Sequence, residues 1–282
     1  MSYQIITDVA ADIPQTLYES WGLAVARMPL TIDGNTTFPD SHQETVAMYQ
    51  AMRAGAAPVT AAVSPEGWQQ VMTPILEKGD DLLVLAFSSG LSATYSCAEL
   101  ARQELAEQYP DRKIRVVDTL CASMGQGLLV YYACRHRDAG ESLDQVADWC
   151  EENKLHIAHW FTVEDLKYLR RGGRISAATA IAGTLLNIKP VLHVADDGKL
   201  YSVAKARGRK ASLAALAEKL KNTSLENDTV FISHGDCLED AQLLKEMIGD
   251  KFQTVLIGEI GSLIGAHSGP GTMALFFLDS KR

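Results

Sequence analysis

Apolar residues fall into short runs separated by polar, helix-patterned stretches. Tyr3 to Thr7 reads as a strand, and a helix opens near Pro14. Leu23 to Ile32 is apolar and extended, and Asp33-Gly34 after it is a hairpin-turn pair. Ser64-Pro65 sets an N-cap before a proline at the first helical position, which predicts a helix through Trp68 and Met72. Asp81 to Phe87 carries an unbroken apolar run, the pattern of a strand buried on both faces. A helix of about four turns follows from Ser92. Ile114 to Val117 is a further short strand, and two helical segments fill Gly125 to Asn153. This alternation predicts an open, mainly parallel sheet.

The second half is patterned differently. His156 to Val163 is extended, and a helical turn reaches Leu169 before Arg171-Gly172-Gly173-Arg174. Pro190 to Val194 and Lys199 to Ala204 flank Asp196-Asp197-Gly198, a hairpin signal. A helix spans about Arg209 to Lys221, and Thr229 to Ser233, a helix and Thr254 to Ile257 form a β-α-β unit. Met273 to Leu278 is the last strand, and His267 falls in a glycine-rich segment read as a loop. The fold class is therefore α/β: an N-terminal parallel-sheet domain, residues 1–155, and a C-terminal α+β domain, residues 156–282.

Composition narrows the function classes. The 282 residues are 47% hydrophobic and 22% charged, enough apolar material for a sizeable core. The formal charge of −9 disfavours bulk binding to nucleic acid or an anionic membrane. Ser2-Tyr3-Gln4 leads straight into a strand without the marks of a secretory signal, and no apolar run reaches the ~18 residues of a membrane span. The five cysteines are scattered, odd in number and without a CxxC pair, which fits reduced structural thiols and a cytoplasmic location. No metal site or cofactor is implied.

The richest chemistry lies in Phe87-Ser88-Ser89-Gly90-Leu91-Ser92-Ala93-Thr94-Tyr95, where a buried strand ends and a helix begins. Ligands collect at such places in open α/β sheets. The helix start offers backbone N–H groups, and Ser88, Ser89, Ser92 and Thr94 add hydroxyls, equipment suited to an anion such as a carboxylate. A plainer reading of the same residues is a helix cap with a decorated loop. A third reading is a serine hydrolase or esterase, because Gly90-Leu91-Ser92-Ala93-Thr94 nearly matches G-x-S-x-G, with Asp118 and His267 downstream in triad order. Thr94 stands where that motif needs its final glycine, which weakens the match.

Further segments bring a family into view. Ile5-Ile6-Thr7-Asp8 with Ala11-Asp12-Ile13-Pro14 resembles the opening of the DegV family. Thr60-Ala61-Ala62-Val63-Ser64-Pro65-Glu66 resembles its threonine loop, and the serine-rich segment is similar to its S-S-G-L-S-G-T. Leu166-Lys167-Tyr168-Leu169 with Arg171-Gly172-Gly173-Arg174-Ile175-Ser176 looks like its L-x-x-L-x-x-G-G-R-I-S. Ile188-Lys189-Pro190, Lys205-Ala206-Arg207-Gly208-Arg209-Lys210 and Gly265-Ala266-His267-Ser268-Gly269-Pro270-Gly271 follow in matching order.

The resemblance implies a carrier, not an enzyme. A long-chain fatty acid is its bound ligand, enclosed between two domains and presented to a separate ATP-dependent fatty acid kinase that forms the acyl phosphate. It implies Thr60 and Ser92 as the hydroxyls on the carboxylate and His267 at the same end. Ser89, Gly90 and Thr94 complete the serine loop, and Arg174, Arg207 and Arg209 would lie near the mouth, facing a phosphate or the kinase. The chain also departs from the family pattern. Val9 and Ala10 stand where the family often has Ser and Thr, Ala61 and Ala62 replace Ser and Gln, and Ala93 replaces Gly. These changes make the head-group region less polar and place more of the holding on Thr60 and Ser92.

Overall fold

The computed structural model describes residues 2–39, 41–176, 187–223, 225 and 227–282. Among the described residues seven strands precede residue 120: β1 (Tyr3–Asp8), β2 (Leu23–Ala26), β3 (Leu30–Ile32), β4 (Asn35–Thr37), β5 (Val59–Thr60), β6 (Asp81–Ala86) and β7 (Ile114–Asp118). Six follow: β8 (Ile157–Thr162), β9 (Ile188–Val194), β10 (Leu200–Arg207), β11 (Thr229–His234), β12 (Thr254–Glu259) and β13 (Met273–Leu278).

The first sheet is wholly parallel, in the order β2-β1-β6-β7. Every residue of β6 is buried, as its unbroken apolar run predicts for a strand with a neighbour on each side and helices on both faces. The helix Pro65–Glu77 begins where expected. Ser64 accepts from the Gly67 N–H, proline occupies the first turn, and Trp68, Met72 and Leu76 repeat every four residues on the buried face.

The second sheet is mixed, in the order β10-β9-β8-β13-β11-β12, antiparallel throughout except for the β11–β12 pair. A small antiparallel sheet, β4-β3-β5, stands apart. The stretch read as one extended segment, Leu23 to Ile32, divides between the first sheet and the small one. Pro29 marks the break, since it lacks an N–H and restricts the residue before it.

The helix Met124–Asp138 lies between the two large sheets and touches β1, β8, β11 and β13. One continuous core takes Ile5, Leu83 and Leu85 from the parallel sheet, Leu128 and Leu129 from this helix, and Leu192, Phe231 and Phe276 from the mixed sheet. Ten residues between Met124 and Cys134 are buried, so this part of the helix is apolar on most sides, as a helix covered on both sides must be, while its last turn, Arg135 to Asp138, is polar. No helix among the described residues is long and apolar enough to cross a membrane.

Candidate functional site

A cavity lies between the parallel-sheet loops and the mixed sheet. Its space is about 830 Å³, counted with the part that opens to solvent. Phe161, Phe276, Ala274, Val194 and Leu200 form the wall from the mixed sheet. Phe87, Leu91, Met28 and Ala10 line it from the first half, with Leu263 and Ile264 from the helix Ser262–Ser268. The polar groups on it include Thr60, Ser92, Arg174, His267 and Ser268.

Thr60 and His267 meet directly, Oγ1 to Nε2 at 2.7 Å, although 207 residues separate them. His267 is on the last turn of the helix Ser262–Ser268, not in a loop, so its ring is held by packing. The ring is pressed against Gly172, where a Cβ would come within 2.2 Å of Nδ1. The glycine after Arg171 is therefore a requirement of the imidazole's seat. Burial, with Arg174 and Arg171 nearby, pushes the His267 pKa down to about 4, so the ring is neutral at neutral pH. Arg174 donates through Nε to the Leu91 carbonyl at 3.2 Å and through Nη1 to the Gly172 carbonyl, joining the R-G-G-R turn to the serine loop. Burial lowers its pKa as well.

The serine loop is mostly occupied with its own construction. The N–H groups of Ser89, Gly90, Leu91 and Ser92 donate to Asp118 Oδ1, Ser88 Oγ and the Ser88 carbonyl. Ser92 Oγ shares a 2.9 Å hydrogen bond with Thr94 Oγ1 and accepts weakly from the Thr94 N–H at the start of the helix Thr94–Gln108. Thr94 is fully buried. Its Oγ1 accepts from the Val63 N–H and its carbonyl from the Trp68 indole, tying this loop to the threonine loop. The N–H groups of Ser89 to Ser92 and of Thr94 thus already have acceptors, and the loop presents the Ser92 side chain to the cavity.

Of the nine residues singled out from the sequence, Thr60, Ser92, Arg174 and His267 line the cavity, and Ser89, Gly90, Thr94, Arg207 and Arg209 do not. Gly90 instead receives the β9–β10 hairpin: a Cβ there would lie 2.6 Å from the Asp197 carbonyl oxygen and 2.8 Å from that of Gly198. Ser88 Oγ completes this docking with a 2.9 Å bond to the Gly198 carbonyl. Arg207 is exposed on the edge strand β10, and Arg209 pairs with Asp240.

Several wall residues carry no sequence signal of a site. His159 donates through Nδ1 to the Ile157 carbonyl and accepts at Nε2 from the Ala122 N–H, which fixes a neutral tautomer. Burial holds its pKa well below the ordinary value. Asp8 and Asp12 act behind the wall. Asp8 accepts from the Phe87 and Ala10 N–H groups, and burial raises it to about 7. Asp12 accepts from Ser123 Oγ and the Gly261 N–H, and burial raises it to about 8.

The geometry does not assemble a hydrolase. Ser92 is paired with Thr94, His267 with Thr60, and Asp118 accepts from the Ser89 and Leu120 N–H groups. No hydrogen bond joins any two of Ser92, His267 and Asp118 among the described residues.

These features define an α/β protein with a largely apolar cavity between two sheets, edged by hydroxyls, a neutral histidine and the Arg174 guanidinium. The chain belongs to the DegV family, whose description is of uncharacterised proteins and whose profile matches residues 2–280. A DegV domain-containing protein of Clostridium perfringens is 43% identical, over 99% of this chain and 98% of its own. A DegV family protein of Thermus thermophilus, its structure described for fatty acid binding, is 31% identical, with a TM-score of 0.89 over 99% of this chain and all of the other. A DegV lipid-binding protein of Thermotoga maritima is 28% identical, with a TM-score of 0.88 over the whole of both chains.

Proposed function

We propose that this protein is a non-catalytic carrier that binds one long-chain fatty acid in the cavity and presents its carboxylate to a separate ATP-dependent kinase, which forms the acyl phosphate. The observation that carries the reading is the Thr60–His267 pair on a largely apolar cavity that Ser92 and Arg174 also line. The fatty acid binding and lipid binding described for the Thermus and Thermotoga relatives support it. On this reading residues 1–155 carry the carboxylate loops and residues 156–282 close the cavity, in a cytoplasmic protein.

The chemistry follows from neutral donors. A hydroxyl bonded to a charged acceptor contributes about 1.5–3 kcal/mol. With its proton on Nε2, His267 donates to Thr60 Oγ1, and the Thr60 hydrogen is then free to turn to the carboxylate. A neutral imidazole holds the anion's partner in place without locking the anion in an ion pair, so a carboxylate oxygen stays reactive. The tail supplies most of the affinity: ~0.8 kcal/mol per buried methylene gives roughly 11 kcal/mol gross for fourteen methylenes, before association costs.

The test is mass spectrometry of an organic extract of the purified protein, followed by titration of delipidated protein with hexadecanoic acid. An acyl chain near one per protein and saturable uptake are expected. An extract free of acyl chains together with no uptake would sink the reading.

A further inference from the structure

The helix Ser262–Ser268 puts two consecutive polar side chains on the cavity, and they differ in one respect. His267 Nε2 is engaged by Thr60. Ser268 Oγ is buried in a residue only 5% exposed and has no hydrogen-bond partner among the described residues. A buried hydroxyl without a partner is costly, and native structures rarely keep one without a reason.

The ordinary local outlets are not used. A helical serine commonly bonds back to a carbonyl three or four residues earlier, as Ser212 does to Arg209 at 2.8 Å. Ser268 makes no such bond. The carbonyl of Ser268 is covered, since Thr272 Oγ1 reaches it at 3.0 Å and that of Gly269 at 2.8 Å. The hydroxyl alone is left, on the cavity wall.

Its place on the helix sets what it can meet. Leu263 and Ile264 line the cavity one turn earlier, and His267 and Ser268 share the final turn, their Cα atoms ~3.8 Å apart. The apolar part of this helix face therefore precedes the polar part, and Ser268 sits at the end that carries the Thr60–His267 pair. Ala10, Ala61 and Ala62 line the same cavity without a hydroxyl to offer.

We infer that Ser268 supplies a further hydroxyl donor to the ligand's carboxylate, beside Thr60 and Ser92 and from a separate segment of the chain. This rests on the fatty-acid reading above and adds to it a residue whose hydroxyl no other described group holds. It also separates Ser268 from its two companions. Thr60 keeps its bond from His267 and Ser92 is paired with Thr94, whereas Ser268 Oγ is held by no other described group.

The test compares wild type, Ser268→Ala and Ser268→Thr in delipidated form, titrated with hexadecanoic acid and with hexadecan-1-ol. Thermal midpoints are taken without ligand and at saturation. Ser268→Ala is expected to bind the acid about tenfold more weakly, with the alcohol changed less than about threefold on the same scale. The ligand-free midpoint should be no lower than that of wild type, because the substitution removes an unpartnered group. Ser268→Thr, which keeps the hydroxyl, should retain most of the acid affinity. Unchanged acid affinity in Ser268→Ala overturns the inference while leaving fatty-acid binding intact. So does an equal loss for acid and alcohol, which would mark a packing residue along the tail. Failure of the wild-type protein to take up the acid removes the fatty-acid reading and this inference together.

Discussion

Two regions edge the cavity with hydroxyls and use them in opposite ways. In the serine loop, Ser88 holds the Gly198 carbonyl, Thr94 holds the Val63 N–H, and Ser92 is paired with Thr94. At the end of the helix Ser262–Ser268 there are fewer polar atoms, yet His267 Nδ1 and Ser268 Oγ are buried without a partner among the described residues. The difference teaches that abundance of polar residues in a sequence marks construction as readily as recognition. Groups that bind are better found by asking which buried polar atoms the fold leaves without a partner.

The largest effect expected from this contrast is on stability in acid, through His267. Its pKa is about 4 in the folded protein against an ordinary 6.5, so the fold favours the neutral ring. The contribution is complete above about pH 6.5 and is lost as pH falls from there towards 4, by roughly 3 kcal/mol. Asp8 and Asp12, raised to about 7 and about 8, act in the other direction: their protonated forms are favoured, and stability declines as pH rises from about 4 to 8. A paired measurement cancels those two. In urea unfolding, the stability of wild type relative to His267→Asn should fall by about 3 kcal/mol between pH 7 and pH 4. A difference that stays flat across that window would place His267 in a solvated setting and break the contrast.

Next in size are the two cavity hydroxyls that already have partners. Thr60→Ala and Ser92→Ala should each weaken hexadecanoic acid binding by about 10- to 150-fold without abolishing it, since the tail term survives. Ser92 should also resist an active-site fluorophosphonate, because it is bonded to Thr94 and not to a histidine. Stoichiometric labelling that disappears in Ser92→Ala would revive the hydrolase.

The serine loop should respond to a quite different substitution. Gly90→Ala would drive a methyl into the backbone of residues 197 and 198, and neither carbonyl can swing aside as a side chain could. A loss of about 1–3 kcal/mol in unfolding free energy is expected. Acid affinity should fall only as far as the displaced hairpin loosens the wall. Full stability in Gly90→Ala would mean that the hairpin does not rest on this loop.

Much of this was legible in the residues, and the limits are instructive. The burial of β6 followed from its unbroken apolar run, and the helix Pro65–Glu77 from Ser64 and Pro65. Thr60, Ser92, Arg174 and His267 were picked out by motif order, and all four line one cavity. Ser268 falls inside the Gly265 to Gly271 motif without standing out there, because a serine's lack of a partner is a property of the folded neighbourhood and leaves no trace in spacing. The helix holding His267 was read as a loop because Gly265 and Gly269 disfavour helix in isolation, whereas tertiary contacts to the helices His42–Arg53 and Lys167–Arg171 hold it. The docking of residues 197–198 on Gly90 joins segments over a hundred residues apart, beyond what local pattern carries.

The smallest effects should come from Ser89 and Arg207, and they test the contrast from the other side. Both belong to motifs shared with the family, and both are absent from the cavity wall. Ser89 is exposed, and its N–H is spent on Asp118 Oδ1 at 3.1 Å, which fixes the loop through backbone rather than side chain. Arg207 lies opposite Ile188 on the edge strand β10 and is exposed, so its charge is screened beyond a Debye length of about 8 Å at physiological salt. Neither side chain lines the cavity in which the carboxylate is proposed to lie. Ser89→Ala and Arg207→Ala should therefore bind hexadecanoic acid within about twofold of wild type, with stability changed by less than about 0.5 kcal/mol. Tenfold weaker binding in either variant would mean that the head group extends past the lined cavity towards the outer face of the serine loop or the edge strand. The recognition surface would then have to be redrawn around groups that the fold already leaves in solvent.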